Sequence, residues 1–389
     1  MVLLSATVVL ALACGGGGGF SSPTMPDTRS PSGSVSCGTT RALFSTSPVA
    51  LEDMTGWVPL GNIGPPGHTF STDHQYLYLN NTQPQAARRE VALVAPSDLV
   101  VTRIRRATTT PGITDYTLEF SPCAEVYGQF GHVASIEPTL LSQVGSFDQM
   151  CESYSPIQGT SIASCQSRAV AVRVRAGAPL GTAGGAAPHS IALDFWLWDA
   201  RVPLLAFVNP LRWSSSNDRF DQFHVAPASD YFTEPLASQV AARVGRYDGL
   251  LHRTATPLGG TIMVDVPGSA MGYWFAPSQP TYPESVHLAI APDNLDPSRV
   301  AFSIGTSLEG WSRGLVIFAP SRSGFVNRDP AAVTADGSIH CYESAGVRML
   351  LLQLVDVGTL RLEKGPAGVT SCATAAPWTF SPAAVDYKR

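Results

Sequence analysis

Charge is scarce in this chain: Asp, Glu, Lys and Arg make up 14% of its 389 residues, against about 25% in ordinary soluble domains. The balance is slightly acidic, with a net charge of -5 and a pI near 5.9. No basic footprint exists for a phosphate backbone, so nucleic acid is excluded as a partner. There is no CxxC pair, which argues against a cytosolic zinc cluster. Beyond the first residues no segment is long and apolar enough to cross a membrane. No fixed repeat period is present, which excludes a solenoid array. Long helical patterns are also missing. The 35 glycines and 31 prolines punctuate short apolar runs instead and favour turn-rich β structure.

What is present begins with an apolar run over residues 1–13 that ends in Ala11-Leu12-Ala13-Cys14. It is too short to span a bilayer and suits the apolar region of a secretory signal. The small residue before Cys14 resembles a bacterial lipobox, which implies that Cys14 carries a lipid and anchors the chain to a membrane. Ala11 stands where lipoboxes favour leucine, and no Lys or Arg precedes the run. Residues 15–36 are rich in Gly, Ser, Pro and Thr, a composition that buries no core and reads as a flexible tether.

Setting Cys14 aside leaves six cysteines, an even number that in an exported chain points to disulfides. The expected pairs are Cys341–Cys372 and Cys151–Cys165 as local bridges, leaving Cys37–Cys123. The remaining length of roughly 345 residues suffices for two cores. The expected fold class is mainly β with few helices: a β domain at 37–213, a helical connector at 214–250 and a second antiparallel β domain at 251–389. Strands are read at 75–79, 91–94, 100–104, 116–120, 169–174 and 191–197, then at 261–266, 286–290, 300–304, 315–319, 349–354 and 359–363. Helices are read at 133–144 and 234–244.

Four polar elements follow one another in the first domain. They are His68 through Asp73-His74, Ala95 through Val101, Tyr127 through His132, and Val174 through Gly184, which leads to His189 and Leu193-Asp194-Phe195. Their order resembles the lysostaphin-type zinc endopeptidases, which cut peptide cross-links in bacterial cell walls. In that family H-x3-D supplies two zinc ligands ahead of a strand. An "APxDGxV" turn, a "YxHL" histidine, a "VxxGxxIGxxG" hairpin and "HLHFE" follow. Residues 95–101 match the turn with Leu99 in place of glycine, residues 174–184 match the hairpin, and His132-Val133 stands at the histidine-leucine pair. The resemblance covers about residues 55–212. It implies a zinc site of His68, Asp73 and Asp194, with His74 and His189 as alternates, and His132 as the group handling the water proton.

The pattern departs from the family where chemistry is done. His68 and Asp73 are separated by four residues, and Asp194 replaces the final ligand histidine. One histidine with two carboxylates is a harder donor set than the family's. The leading functional expectation is an envelope lipoprotein that binds cell-wall or surface polymer through a degenerate peptidase-like domain without efficient hydrolysis. The alternatives are a working zinc peptidase with a His/Asp/Asp site and a structural or adhesive surface protein. The bland readings are turn caps for His68, His74 and Asp73, a helix start for His132, and core packing for Trp196 and Trp198. Alternation places Asp194 on the face opposite Leu193 and Phe195.

Overall fold

A computed structural model describes residues 35–389, apart from 66, 80–89, 110–111, 158–159, 185–190, 215–221, 312–313, 345–347, 367 and 370. Cys14, His189 and most of the tether lie outside the described residues. One 11-stranded antiparallel sheet holds β1 (Met54–Val58), β2 (Gln75–Leu79), β3 (Val91–Val94), β4 (Leu99–Thr109), β5 (Thr114–Cys123) and β6 (Val126–Ile136). It is completed by β7 (Phe147–Ile157), β8 (Thr160–Ser167), β9 (Val172–Val174), β10 (Pro179–Ala183) and β11 (Ala192–Asp199). The spatial order is β1-β2-β11-β6-β5-β4-β8-β7, with β9 beside β4 and β10 joining β3 to β6.

Period-2 alternation decides the faces of this sheet. Leu77, Leu79, Phe130, Leu193, Phe195 and Leu197 turn to one side, where they are buried against Phe44, Trp57, Tyr231 and Phe232. His74, Asp194 and Trp196 belong to the opposite face, as expected for Asp194. Three disulfides join Cys37 to Cys123, Cys151 to Cys165 and Cys341 to Cys372, the pairing read from the sequence. Bridges of this kind persist in an oxidising, exported environment. Among the described residues, no helix is long and apolar enough to cross a membrane.

The helices are shorter than expected. They are α1 (Pro138–Val144), α2 (Pro210–Ser214) and α3 (Leu236–Ala241). The helix expected from Val133 is corrected, because β6 runs on to Ile136. Val133 pairs with Tyr116 and Ala183, and Ile136 pairs with Gly181. Pro138 lacks an N–H and is tolerated only in a first helical turn, so the helix cannot begin earlier. The Glu137 side chain accepts from Thr139 N–H at 3.4 Å and caps that turn.

The C-terminal unit holds two four-stranded antiparallel sheets. The first contains β12 (Gly272–Trp274), β13 (Leu288–Pro292), β14 (Val300–Ile304) and β15 (Gly314–Phe318). The second contains β16 (His340–Ser344), β17 (Arg348–Asp356), β18 (Thr359–Lys364) and β19 (Val385–Lys388). Trp274, Ile290 and Phe302 share one core with Tyr342, Leu352 and Leu362. The strand expected at 261–266 does not form. Ile262 and Val264 are apolar because they fill a separate cluster, not because they join a ladder. That cluster also contains Phe70, Trp198, Trp213, Tyr273 and Phe275, and it fuses the two units. Of the expected connector, Phe223 and Val225 join this seam, while Ala226, Ala228, Tyr231, Phe232, Val240 and Val244 pack into the core of the first unit.

Candidate functional site

The face of β2, β11 and β6 opposite the main core gathers the polar groups. Antiparallel register sets Asp194 opposite Tyr76 on one neighbour and opposite Gly131 on the other. His74, just ahead of β2, and His132, on β6, then flank the Asp194 carboxylate. Asp194 Oδ2 lies 3.7 Å from His74 Nε2 and 3.4 Å from His132 Nε2.

Each imidazole is held from behind by its own carboxylate. His74 Nδ1 meets Asp73 Oδ1 at 2.9 Å, and His132 Nδ1 meets Asp115 Oδ2 at 2.8 Å. Asp73 is fully committed: it also accepts from Trp196 Nε1 at 2.9 Å and from Gln222 Nε2 at 2.6 Å. Burial works against its charge, but these donors and His74 outweigh that and hold its carboxyl below the usual range. Asp73 therefore orients His74 instead of acting as a ligand. His68 also stands apart from the predicted set, because its Nδ1 lies 3.3 Å from Glu284 Oε1 of the C-terminal unit. Among the described residues, His68, Asp73 and Asp194 form no group with ligand atoms all within 4.8 Å of one another. The pair brought together with Asp194 is His74 and His132.

His132 adopts a φ of 60°, uncommon for a residue with a side chain. Between the pairs Tyr116–Val133 and Leu118–Phe130 the ladder shifts, so Gly131 and His132 together oppose Thr117. This bulge re-aims the imidazole toward Asp194, the use to which such strained positions are put near functional sites. Gly131 is required beside it: a Cβ there would fall 2.8 Å from the Trp196 ring. That ring packs over His74 with centroids 4.1 Å apart.

Burial alone would push the His132 pKa down. The charges of Asp194 and Asp115, with the Asp115 hydrogen bond, outweigh it and raise it to about 9. A pKa raised on folding adds stability that is complete below the unfolded value, near 6.5, and is lost as pH rises through about 9. At full strength this is roughly 3 kcal/mol. Solvent screening of a side chain that is 39% exposed cuts it to about 1 kcal/mol. The metal-free protein should thus weaken between pH 6.5 and 9 in urea titrations, and His132→Gln should flatten that slope.

The donor types are those zinc takes, two imidazole nitrogens and a carboxylate with an outer carboxylate behind each imidazole. Among the described residues, however, these atoms, like those of His68, Asp73 and Asp194, do not all lie within 4.8 Å of one another. His74 Nε2 and Asp194 Oδ1 are buried without a hydrogen-bond partner, which is costly unless something else meets them. His74 Nε2 faces the Asp194 carboxylate at 3.7 Å, a contact that either a proton on Nε2 or a bound cation would satisfy. The cluster of Cys37, Cys123 and Glu125 offers no such site. Its sulfurs are bonded to each other, and Glu125 accepts from Cys37 N–H and Ser36 Oγ.

Sequence reasoning missed Asp115, Trp196 as a donor, Gln222 and Glu284. Asp115 was within reach, because the β5–β6 hairpin register brings it beside His132. Gln222 and Glu284 arrive from 149 and 214 positions away from their partners in the loop before β2, and no local pattern marks them. No family model, no curated protein and no solved structure matches this chain.

Proposed function

We propose that this chain is an exported, membrane-tethered hydrolase of the zinc peptidase class that acts on cell-wall or surface polymer. The observation that carries the reading is the paired convergence of His74 and His132 on Asp194, each imidazole backed by its own carboxylate. His74 Nε2, His132 Nε2 and Asp194 would hold the metal, which when bound supplies an activated water and a Lewis acid. The chain's own residues orient that centre: Asp73 and Asp115 fix the two tautomers, and Trp196 shields His74 from solvent. The order of motifs resembling the lysostaphin type supports a peptide substrate, and Cys14 supplies the lipid tether.

A second reading keeps the groove as a binding site without efficient cleavage. It is favoured by the spacing of the donors, since the three ligand atoms do not all approach within 4.8 Å of one another. Zinc analysis of the full-length protein decides the matter. About one zinc per chain is expected, lost in His74→Ala and Asp194→Asn but retained in His68→Ala. The hydrolase reading further requires release of new amino groups from peptidoglycan by the zinc-loaded protein. A chain that takes up zinc and binds peptidoglycan without releasing amino groups establishes the second reading.

A further inference from the structure

Glu284 crosses from the C-terminal unit into the rim of the site, on a short turn that follows Pro283. Its two oxygens have separate tasks. Oε1 lies 3.3 Å from His68 Nδ1, and Oε2 accepts Phe70 N–H at 2.7 Å. One carboxylate thereby fixes both the imidazole and the backbone of the loop that carries it. Its side chain is 16% exposed, whereas that of His68 is 42% exposed, so the anchor is covered and the anchored ring faces outward.

The turn bearing Glu284 is itself pinned. His287 Nε2–H donates to the Pro280 carbonyl at 2.8 Å, and its Nδ1 accepts Ala276 N–H at 3.0 Å. This requires a neutral ring, in keeping with burial holding its pKa down. The same ring stacks on Phe70, with centroids 5.3 Å apart and planes 7° from parallel. Thr281 Oγ1 donates to the Arg212 carbonyl at 2.9 Å. Support of this kind, buried and hydrogen-bonded on both sides, is what precise placement of a functional group demands.

The His68 ring sits 5.5 Å from the His74 ring and 6.3 Å from Tyr76. With Nδ1 directed at Glu284, Nε2 on the opposite edge is left to meet a ligand. We propose that His68 Nε2 hydrogen-bonds a polar group of the bound polymer, and that Glu284 is the positioning residue that makes the site whole only when both units are folded together. This inference rests on the hydrolase reading of the neighbouring centre.

The test is a double-mutant cycle on the full-length protein, read by co-sedimentation with insoluble peptidoglycan. His68→Ala and Glu284→Ala are each expected to weaken binding about tenfold, within the range for groups that orient a ligand-contacting histidine. The double variant should be no worse than either single one, because Glu284 acts through His68. Glu284→Gln, whose amide oxygen can still accept from His68, should recover part of the loss. Zinc per chain should stay at the wild-type value in all of these, and the thermal midpoint in His68→Ala, whereas Glu284→Ala, which strips Phe70 N–H of its acceptor, should lower the midpoint as well. Unchanged binding in the single variants, or losses that add in the double variant, overturn the inference. Absence of zinc from wild type sinks the hydrolase reading alone, since the cycle is read from binding and still decides the roles of His68 and Glu284.

Discussion

Asp199→Ala is expected to lower stability by about 3–5 kcal/mol, the range for removing one partner of a buried ion pair. Asp199 closes β11, the strand that carries Asp194, and is completely buried. Its Oδ1 accepts from Arg201 N–H at 2.9 Å and Nε at 2.8 Å, and its Oδ2 from Arg201 Nη2 at 2.7 Å and the Tyr231 hydroxyl at 2.6 Å. Arg201 then reaches the carbonyls of Gly38 and Thr40, while the Tyr231 carbonyl accepts from Leu43 and Phe44. Truncation leaves a buried hydroxyl and a guanidinium without their acceptor. The N-terminal segment, β11 and the 222–232 segment would loosen together. Urea unfolding checks this, and Asp199→Asn, which keeps one oxygen, should lose about half as much. A cost for Asp199→Ala below about 1 kcal/mol would show that the network holds nothing together.

Gly181→Val is the second large effect, at about 2–6 kcal/mol from backbone strain and overpacking combined. Gly181 has a φ of 149°, and a Cβ there would stand 1.9 Å from the Ser135 carbonyl oxygen. That oxygen belongs to β6, three residues beyond His132, where β10 runs alongside Ser135 and Ile136. No rotamer relieves a collision between a Cβ and backbone, so β10 must move off β6. The His132 bulge then loses its support on one side. A fall in the urea midpoint accompanied by loss of zinc would tie β10 to the site. A stable variant with wild-type zinc content would separate them.

Gly181 also shows how far the motifs could be read. The run from Val174 to Gly184, expected as a hairpin, instead sets β9 on β4 and β10 between β3 and β6, and its Gly181 is required by the close approach of β6. The resemblance that drew attention to this run also named His68 and Asp73 as ligands, and there the local spacing misled. Four residues separate His68 from Asp73, and His68 Nδ1 lies 3.3 Å from Glu284 Oε1. His74 is the residue that faces Asp194. The two partners that decide this, Gln222 on Asp73 and Glu284 on His68, come from remote loops and have no signature of their own.

The sequence by itself determined the β class, the presence of disulfides and the side of β11 on which Asp194 stands. These follow from composition, from an even cysteine count in an exported chain, and from an alternation that is intrinsic to an extended backbone. The tertiary structure alone decided which histidines meet Asp194. That choice depends on the register between β2, β11 and β6, on a one-residue bulge at His132, and on a carboxylate delivered from the other unit across a shared apolar seam. Register and long-range packing are collective properties of paired strands, so no single segment carries them.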